Sequence, residues 1–69
     1  MFNVGDMIYY KGAQVFDIVY IIDADDTVYK TVQIIDCFDW KIGDKNVISK
    51  DSANMHYKLL TEELKAELL

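Results

Sequence analysis

The chain contains no arginine, and its seven lysines stand against twelve acidic side chains, which gives a formal net charge of −5. Proteins that bind nucleic acid neutralise phosphates with lysine and arginine, and arginine is the usual reader of base edges. A chain with no arginine and an excess of carboxylates lacks the material for such a surface. We therefore expect no direct binding to DNA or RNA.

Cysteine and long apolar runs are also scarce. Cys37 is the single cysteine, so an internal disulfide is excluded. The N-terminus has no basic region followed by an apolar run, which a secretory signal would need. The longest apolar run, from Ile18 to Ile22, is far shorter than the roughly 18 residues that cross a bilayer. We expect a cytoplasmic protein without a membrane span.

The sequence carries no catalytic motif: a phosphate loop, a nucleophile elbow and a dinucleotide fingerprint are all missing. One cysteine and one histidine, Cys37 and His56, supply neither a zinc site nor a catalytic triad. Asp36 and Asp39 flank Phe38 like paired carboxylates, but a solvated turn is the simpler interpretation. We therefore predict that the chain is not an enzyme and that it has no catalytic residues.

Three aspartates, Asp23, Asp25 and Asp26, could be taken for a calcium loop, because calcium prefers several carboxylate oxygens close together. The sixth position of such a loop is Val28 instead of glycine, and the twelfth is Ile34 instead of glutamate. We predict an acidic turn here, with no metal and no cofactor anywhere in the chain.

The chain is rich in apolar residues, and they recur with the two-residue period of a β-strand. Of its 69 residues, 52% are hydrophobic and nine are aromatic, which suffices for one small core but not for two domains. Apolar side chains recur mainly at every second position and are rich in Val, Ile and Tyr. The pattern predicts one mainly β domain of five short antiparallel strands.

The alternation also predicts which side chains point inward. Val4, Ile8 and Tyr10 share the inward face of the first strand. The second strand, Val15 to Ile22, has four apolar side chains on one face and Asp17 on the other face, which we expect to be the wetter one. The apolar face carries Phe16, Ile18, Tyr20 and Ile22.

Turn-forming and helix-capping residues predict where the turns and helices lie. Asp23 to Thr27 predicts a turn that joins two antiparallel strands, and the irregular third strand, Val28 to Ile35, predicts a bulge near Lys30 and Gln33. A short strand, Asn46 to Ser49, precedes a single helical turn over residues 50–55 that Ser49 caps, and residues 56–60 extend again. Thr61 then caps a terminal helix that carries Leu64, Leu68 and Leu69.

The N-terminal run from Phe2 to Tyr10, with Val4-Gly5-Asp6 before a strand, and the order of the elements over residues 2–60 resemble the small SH3-like barrels. That group includes KOW and Tudor-type domains and many short phage or mobile-element proteins. The resemblance implies a five-stranded, partly open barrel over residues 1–60 that binds proteins, peptides or nucleic acid and is seldom catalytic. The basic residues of RNA-binding KOW domains are missing around the first strand. Residues 61–69 would add a helix that packs on the barrel or at an interface.

The aromatic residues are the most promising binding feature. By alternation Tyr10 and Tyr20 point inward and Tyr9 and Tyr29 face out, whereas Trp40 is too large to be wholly hidden. Rings beside acidic loops form peptide grooves in SH3-like domains, although plain packing of these rings is the alternative. The candidate ligand-binding residues are Tyr9, Tyr29, Trp40, Asp23, Asp25 and Asp26.

These residues lead to two functional hypotheses. The first is a non-catalytic interaction module that binds a protein or peptide through exposed aromatics and acidic loops. The second is a small acidic inhibitor or regulator, of the phage kind, that mimics nucleic-acid phosphates. A mimic needs its carboxylates in one continuous strip, and a groove binder needs an exposed cleft of rings. We expect a monomer, with a small homo-oligomer as the alternative.

Overall fold

The computed structural model describes residues 1–68 of the chain, with side chains as far as Glu67. Within this range five strands and two helices follow one another. They are β1 (Met7–Lys11), β2 (Phe16–Ala24), β3 (Val28–Gln33), β4 (Lys45–Ser49), α1 (Lys50–His56), β5 (Lys58–Leu59) and α2 (Glu62–Leu68). The prediction of a mainly β domain with five antiparallel strands and two short helices is confirmed. No helix in the described range is long and apolar enough to span a bilayer.

The strands form one sheet in the order β4-β3-β2-β1-β5, and every pair of neighbours is antiparallel. The sheet is not closed, so β4 and β5 are its edges. Three hairpin-type connections lead from β1 to β4, and α1 then returns the chain to the far edge of β1. There β5 pairs briefly, with Ile8 opposite Leu59 and Tyr9 opposite Lys58.

Local sequence signals explain where the elements begin. Ser49 Oγ accepts a hydrogen bond from the Ser52 amide at 3.2 Å, which is the predicted cap of α1. Thr61 Oγ1 accepts one from the Leu64 amide at 3.3 Å at the start of α2. Gly5, before β1, has φ +95°, a conformation that costs glycine little, and its amide donates to the Ile21 carbonyl at 2.8 Å.

The core lies between the inner face of the sheet and α1. It consists of Ile8, Val19, Ile21, Tyr29 and Ala53, all at most 2% exposed. Four partly buried side chains pack against this cluster: Phe2, Ala24, Ile48 and Tyr57. α1 contributes to this cluster through its smallest side chain, and Ile18, of the opposite parity to Val19 and Ile21 on β2, is also 0% exposed.

On β2 the predicted inward face is right for Ile18, which is 0% exposed, but wrong for Tyr20 and Ile22. Val19 and Ile21 belong to the core, whereas Tyr20 and Ile22 are 36% and 39% exposed. Asp17, expected on the wetter face, shares the parity of Val19 and Ile21. Since the run from Ile18 to Ile22 is apolar at every position, alternation within β2 could not identify the inner face. On β1, Ile8 is buried as predicted, but Val4 precedes the strand and is 56% exposed.

The predicted bulge lies on the neighbouring strand. The register between β2 and β3 shifts between Ile21 and Asp23, so Ile22 is the extra residue, opposite Thr31 and Lys30 of β3. Lys30 stays exposed, and its ammonium group lies 3.9 Å from an Asp23 carboxylate oxygen.

The terminal helix begins where Thr61 predicts. Leu60 before it is 5% exposed, with its amide bonded to the Met7 carbonyl at 2.8 Å, and Leu64 is half-buried. Leu69 and the side chain of Leu68, which the sequence placed on the terminal helix, lie outside the described residues. The packing of residues 61–69 on the barrel or at an interface stays a prediction.

Candidate functional site

The predicted site residues lie in different parts of the fold. Trp40 is in the long connection between β3 and β4, whereas Asp23, Asp25 and Asp26 are in the β2–β3 turn at the other end of β3. The six residues of β3 separate the two places by about 20 Å. Tyr9 is half-buried on β1, opposite Ile18, and Ile18 is five residues or about 16 Å along β2 from Asp23. The structure does not bring these six residues together.

The prediction that Tyr29 faces outward is wrong. Its ring is 0% exposed, and its hydroxyl accepts from the Phe2 amide at 3.2 Å and donates to the Phe2 carbonyl at 3.3 Å. The ammonium group of Lys50 lies 5.4 Å from the ring centroid. Tyr29 stands opposite Ala24, beyond the register shift, on the inner face. It therefore has no surface left for a ligand.

The acidic turn forms a hairpin, as predicted, and uses its carboxylates locally. Asp25 Oδ1 accepts hydrogen bonds from the amides of Thr27 at 2.8 Å and Val28 at 2.9 Å. These amides hold the pKa of Asp25 below its usual value. Asp23 Oδ1 accepts from the Ala24 amide at 2.9 Å. Two of the three carboxylates thus stabilise the turn itself.

The connection between β3 and β4 contains a second, tighter turn, and we refer to residues 36–44 as the apolar loop. The amide of Cys37 donates to the Trp40 carbonyl and the amide of Trp40 donates to the Cys37 carbonyl, both at 2.9 Å. Phe38 and Asp39 are therefore the two central residues of a two-residue hairpin turn.

Phe38 adopts a conformation that favours glycine. Its φ is +53°, and it is the only described residue other than glycine with a positive φ. Positive φ at the first central residue alone is the pattern of a type II′ turn, where glycine is the usual occupant. A bulky residue here is strained by about 1–2 kcal/mol. The ring is nevertheless 74% exposed, so internal packing recovers little of that strain.

Hydrogen bonds hold the apolar loop in place below Phe38. Asp36 Oδ1 accepts from the Ile42 amide at 3.0 Å, and Asp44 Oδ2 accepts from the Lys41 amide at 2.8 Å. Although the backbone is pinned, Trp40 and Ile42 are 41% and 68% exposed. The partial exposure of Trp40 matches the expectation for its size. The loop therefore presents three large apolar side chains to solvent at alternate positions.

We expect Phe38→Gly to stabilise the isolated protein by about 0.5–1 kcal/mol, because glycine relieves the positive φ and little packing is lost. The control is Asp39→Gly, since Asp39 has no positive φ and glycine there only adds freedom to the unfolded chain. Urea unfolding followed by circular dichroism measures both changes. Equal destabilisation by the two substitutions would show that Phe38 is not strained.

A different concave region surrounds His56, at the end of α1. One depression, of about 270 Å³, is lined by Tyr9, Lys11, His56 and Lys58. The other, of about 250 Å³, is lined by Tyr10, Ser52, His56 and Tyr57. Because His56 lines both, the depressions adjoin at its ring, which meets the Tyr10 ring edge-on with centroids 6.3 Å apart. Neither depression includes Trp40 or the acidic turn, and Tyr9 alone among the lining residues was a predicted ligand-binding residue.

A partly buried polar cluster lies next to these rings. The hydroxyl of Tyr57 donates to Asp17 Oδ2 at 2.5 Å, and the Gln33 side-chain amide donates to Asp17 Oδ1. Burial, followed by the bond to Asp17, raises the pKa of Tyr57 above its usual value. The inward-pointing Asp17 carboxylate thus accepts hydrogen bonds from two donors, one at the end of α1 and one on β3.

The single cysteine, Cys37, is half-buried. Burial raises the pKa of the Cys37 thiol, and the charge of Asp17 adds to the effect, so the reactive thiolate is disfavoured. Within residues 1–68, no three His, Cys, Asp or Glu side chains are grouped as metal ligands would be. The carboxylates of the Asp23–Asp26 turn likewise form no such group.

No protein-family model matches the chain, and no curated protein or solved structure matches it either.

Proposed function

We propose that the chain is a non-catalytic interaction module of the SH3-like kind, which binds another protein through the apolar loop. The observation that carries the proposal is Phe38, a strained residue whose ring is 74% exposed on a hydrogen-bonded turn. Strain that internal contacts do not offset is typical of functional positions. A bound partner would supply the contacts that the free chain lacks.

The topology supports the SH3-like part of the proposal. One short helix before a last strand that returns to β1, in a five-stranded antiparallel sheet, is in line with the element order on which the resemblance rests. The proposed partner surface is an apolar pocket with basic groups at its edge. Phe38, Trp40 and Ile42 would fill the pocket, and the exposed carboxylate of Asp39 would meet the basic groups.

The phosphate-mimic alternative has weaker support. Such a mimic needs one strip of carboxylates, but Asp36 and Asp39 lie at the opposite end of β3 from Asp23, Asp25 and Asp26. Several carboxylates also accept hydrogen bonds from nearby amides, namely those of Asp6, Asp23, Asp25, Asp36 and Asp44. Turn formation is therefore a sufficient reason for much of the acidity.

The test is affinity capture from cells of the source organism with three immobilised baits. We expect the unmodified chain to retain a partner that Phe38→Ser retains at least about tenfold less, because a buried aromatic anchor contributes about 2 kcal/mol or more. The matched control is Met55→Ser on α1, since Met55 is 75% exposed and lies outside the apolar loop.

A photoreactive phenylalanine analogue at position 38 should then cross-link to the same captured protein. Capture that survives Phe38→Ser unchanged, or that Met55→Ser weakens equally, would contradict the proposal. In that case non-specific adsorption or another surface of the domain would account for the binding.

A further inference from the structure

The depression lined by Tyr9, Lys11, His56 and Lys58 differs in charge from the rest of this acidic chain. Two lysines and a histidine line it, and no acidic residue does, although the whole chain carries a net charge of −5. Among residues 1–68, ion pairs join Lys30 to Asp23 and Lys65 to Glu62, and Lys11 and Lys58 have no such partner. The depression therefore offers cationic groups that the fold itself does not neutralise.

The backbone of β1 is also open at this place. The Gly12 amide donates to the Val15 carbonyl at 2.7 Å, on the β2 side, whereas the Met7 carbonyl accepts from the Leu60 amide on the β5 side. Since the bonding direction alternates along an antiparallel strand, Lys11 directs its N–H and C=O toward the β5 side, as Met7 does. However, β5 begins only at Lys58, opposite Tyr9, and the preceding His56 belongs to α1. No described strand lies beside Lys11.

We propose that this depression binds an extended peptide segment through one acidic side chain. The backbone of the segment would bond to Lys11 as a short continuation of the sheet, in the manner of strand addition. Its carboxylate would lie between the Lys11 and Lys58 ammonium groups, and the half-buried Tyr9 ring would form the apolar wall.

The depression is smaller than a typical site for a drug-sized ligand. Sites for drug-sized ligands measure about 300–1,000 Å³, and this one is about 270 Å³. The charges restrict the ligand further, because a strongly acidic segment would be repelled by the remaining surface of a chain with net charge −5. A segment with one isolated carboxylate satisfies both conditions. This site shares no residue with the apolar loop, so the inference does not depend on the proposed function.

The test is to titrate the isotope-labelled full chain with two pentapeptides that differ only at the central residue. One has glutamate there and the other glutamine. Binding is monitored by the chemical shifts of the backbone amides. We expect the glutamate peptide to shift the amides of Tyr9, Lys11 and Lys58 and to bind at least about tenfold more tightly, because charge-assisted hydrogen bonds are about twice as strong as neutral ones.

Variants and a third probe complete the experiment. Lys11→Gln and Lys58→Gln should each weaken binding of the glutamate peptide, whereas Lys45→Gln on the opposite edge strand β4 should not. Equal binding of the two peptides, shifts confined to other residues, or an equal effect of Lys45→Gln would overturn the inference. Inorganic phosphate that saturates the same amides as tightly as the peptide would also overturn it, because the site would then be one for small anions.

Discussion

Replacing Tyr29 by alanine should lower the free energy of unfolding by about 3–5 kcal/mol, the range for deletion of a buried aromatic ring. Tyr29 is the largest fully buried side chain, it contacts Phe2 with ring centroids 6.1 Å apart, and its hydroxyl ties the N-terminal segment to β3. A core of this size supplies only about 3–5 kcal/mol in total. We therefore expect most of the Tyr29→Ala chain to be unfolded, with its β-type circular dichroism lost.

Two further variants separate the causes. Tyr29→Phe removes only the hydroxyl and its bonds to Phe2, so the expected loss is about 1 kcal/mol. Tyr20→Ala removes a ring of the same kind that is 36% exposed on β2, and it should cost less than half as much as Tyr29→Ala. Similar losses at positions 20 and 29 would contradict the inward placement of Tyr29.

The second large effect is expected at Asp17, where Asp17→Ala should cost about 2–4 kcal/mol. The substitution leaves the Tyr57 hydroxyl and the Gln33 amide without their acceptor, and unpaired buried donors are expensive. Gln33 is 4% exposed, so water has little access to its side chain. Equilibrium unfolding in urea measures the loss, and Asp26→Ala, in the exposed acidic turn, is the matched control that should change little.

A double-mutant cycle and a pH series test the same bond between Tyr57 and Asp17. Adding Tyr57→Phe to Asp17→Ala should cost less than the sum of the single losses, because the second substitution removes a donor already left unpaired. The raised pKa of Tyr57 means that the native state holds this proton more tightly than the unfolded chain does. The protonated Tyr57 hydroxyl therefore contributes fully to the free energy of unfolding below the usual tyrosine pKa of about 10. This contribution is lost as the pH rises above that value.

Tyr57→Phe should therefore show a flatter decline of stability in alkaline solution than the unmodified chain. Additive losses in the cycle, together with an unchanged alkaline decline, would mean that the bond between Tyr57 and Asp17 contributes nothing to stability.

The candidate sites were less accessible to sequence reasoning than the fold. The exposure of Trp40 followed from its size, but the positive φ of Phe38 could not be seen, because Phe-Asp is not a usual pair for a two-residue turn. The depression around His56 combines β1 with the end of α1 and β5, which lie far along the chain from β1 and meet it through the pairing of β5 with β1. Local sequence patterns carry no information about contacts between elements that are far apart in the chain.

The sequence by itself determined the mainly β class, the β2–β3 turn and the starts of both helices. Strand period, the Asp23–Thr27 turn and the caps at Ser49 and Thr61 depend on neighbours within a few residues, so a linear pattern contains them. Only the tertiary structure decided which side chains of β2 are buried. Both faces carry apolar residues there, and the extra residue Ile22 shifts the register between β2 and β3. Burial of Tyr29 and the inward position of Asp17 then depend on Phe2, Gln33 and Tyr57, partners from other elements.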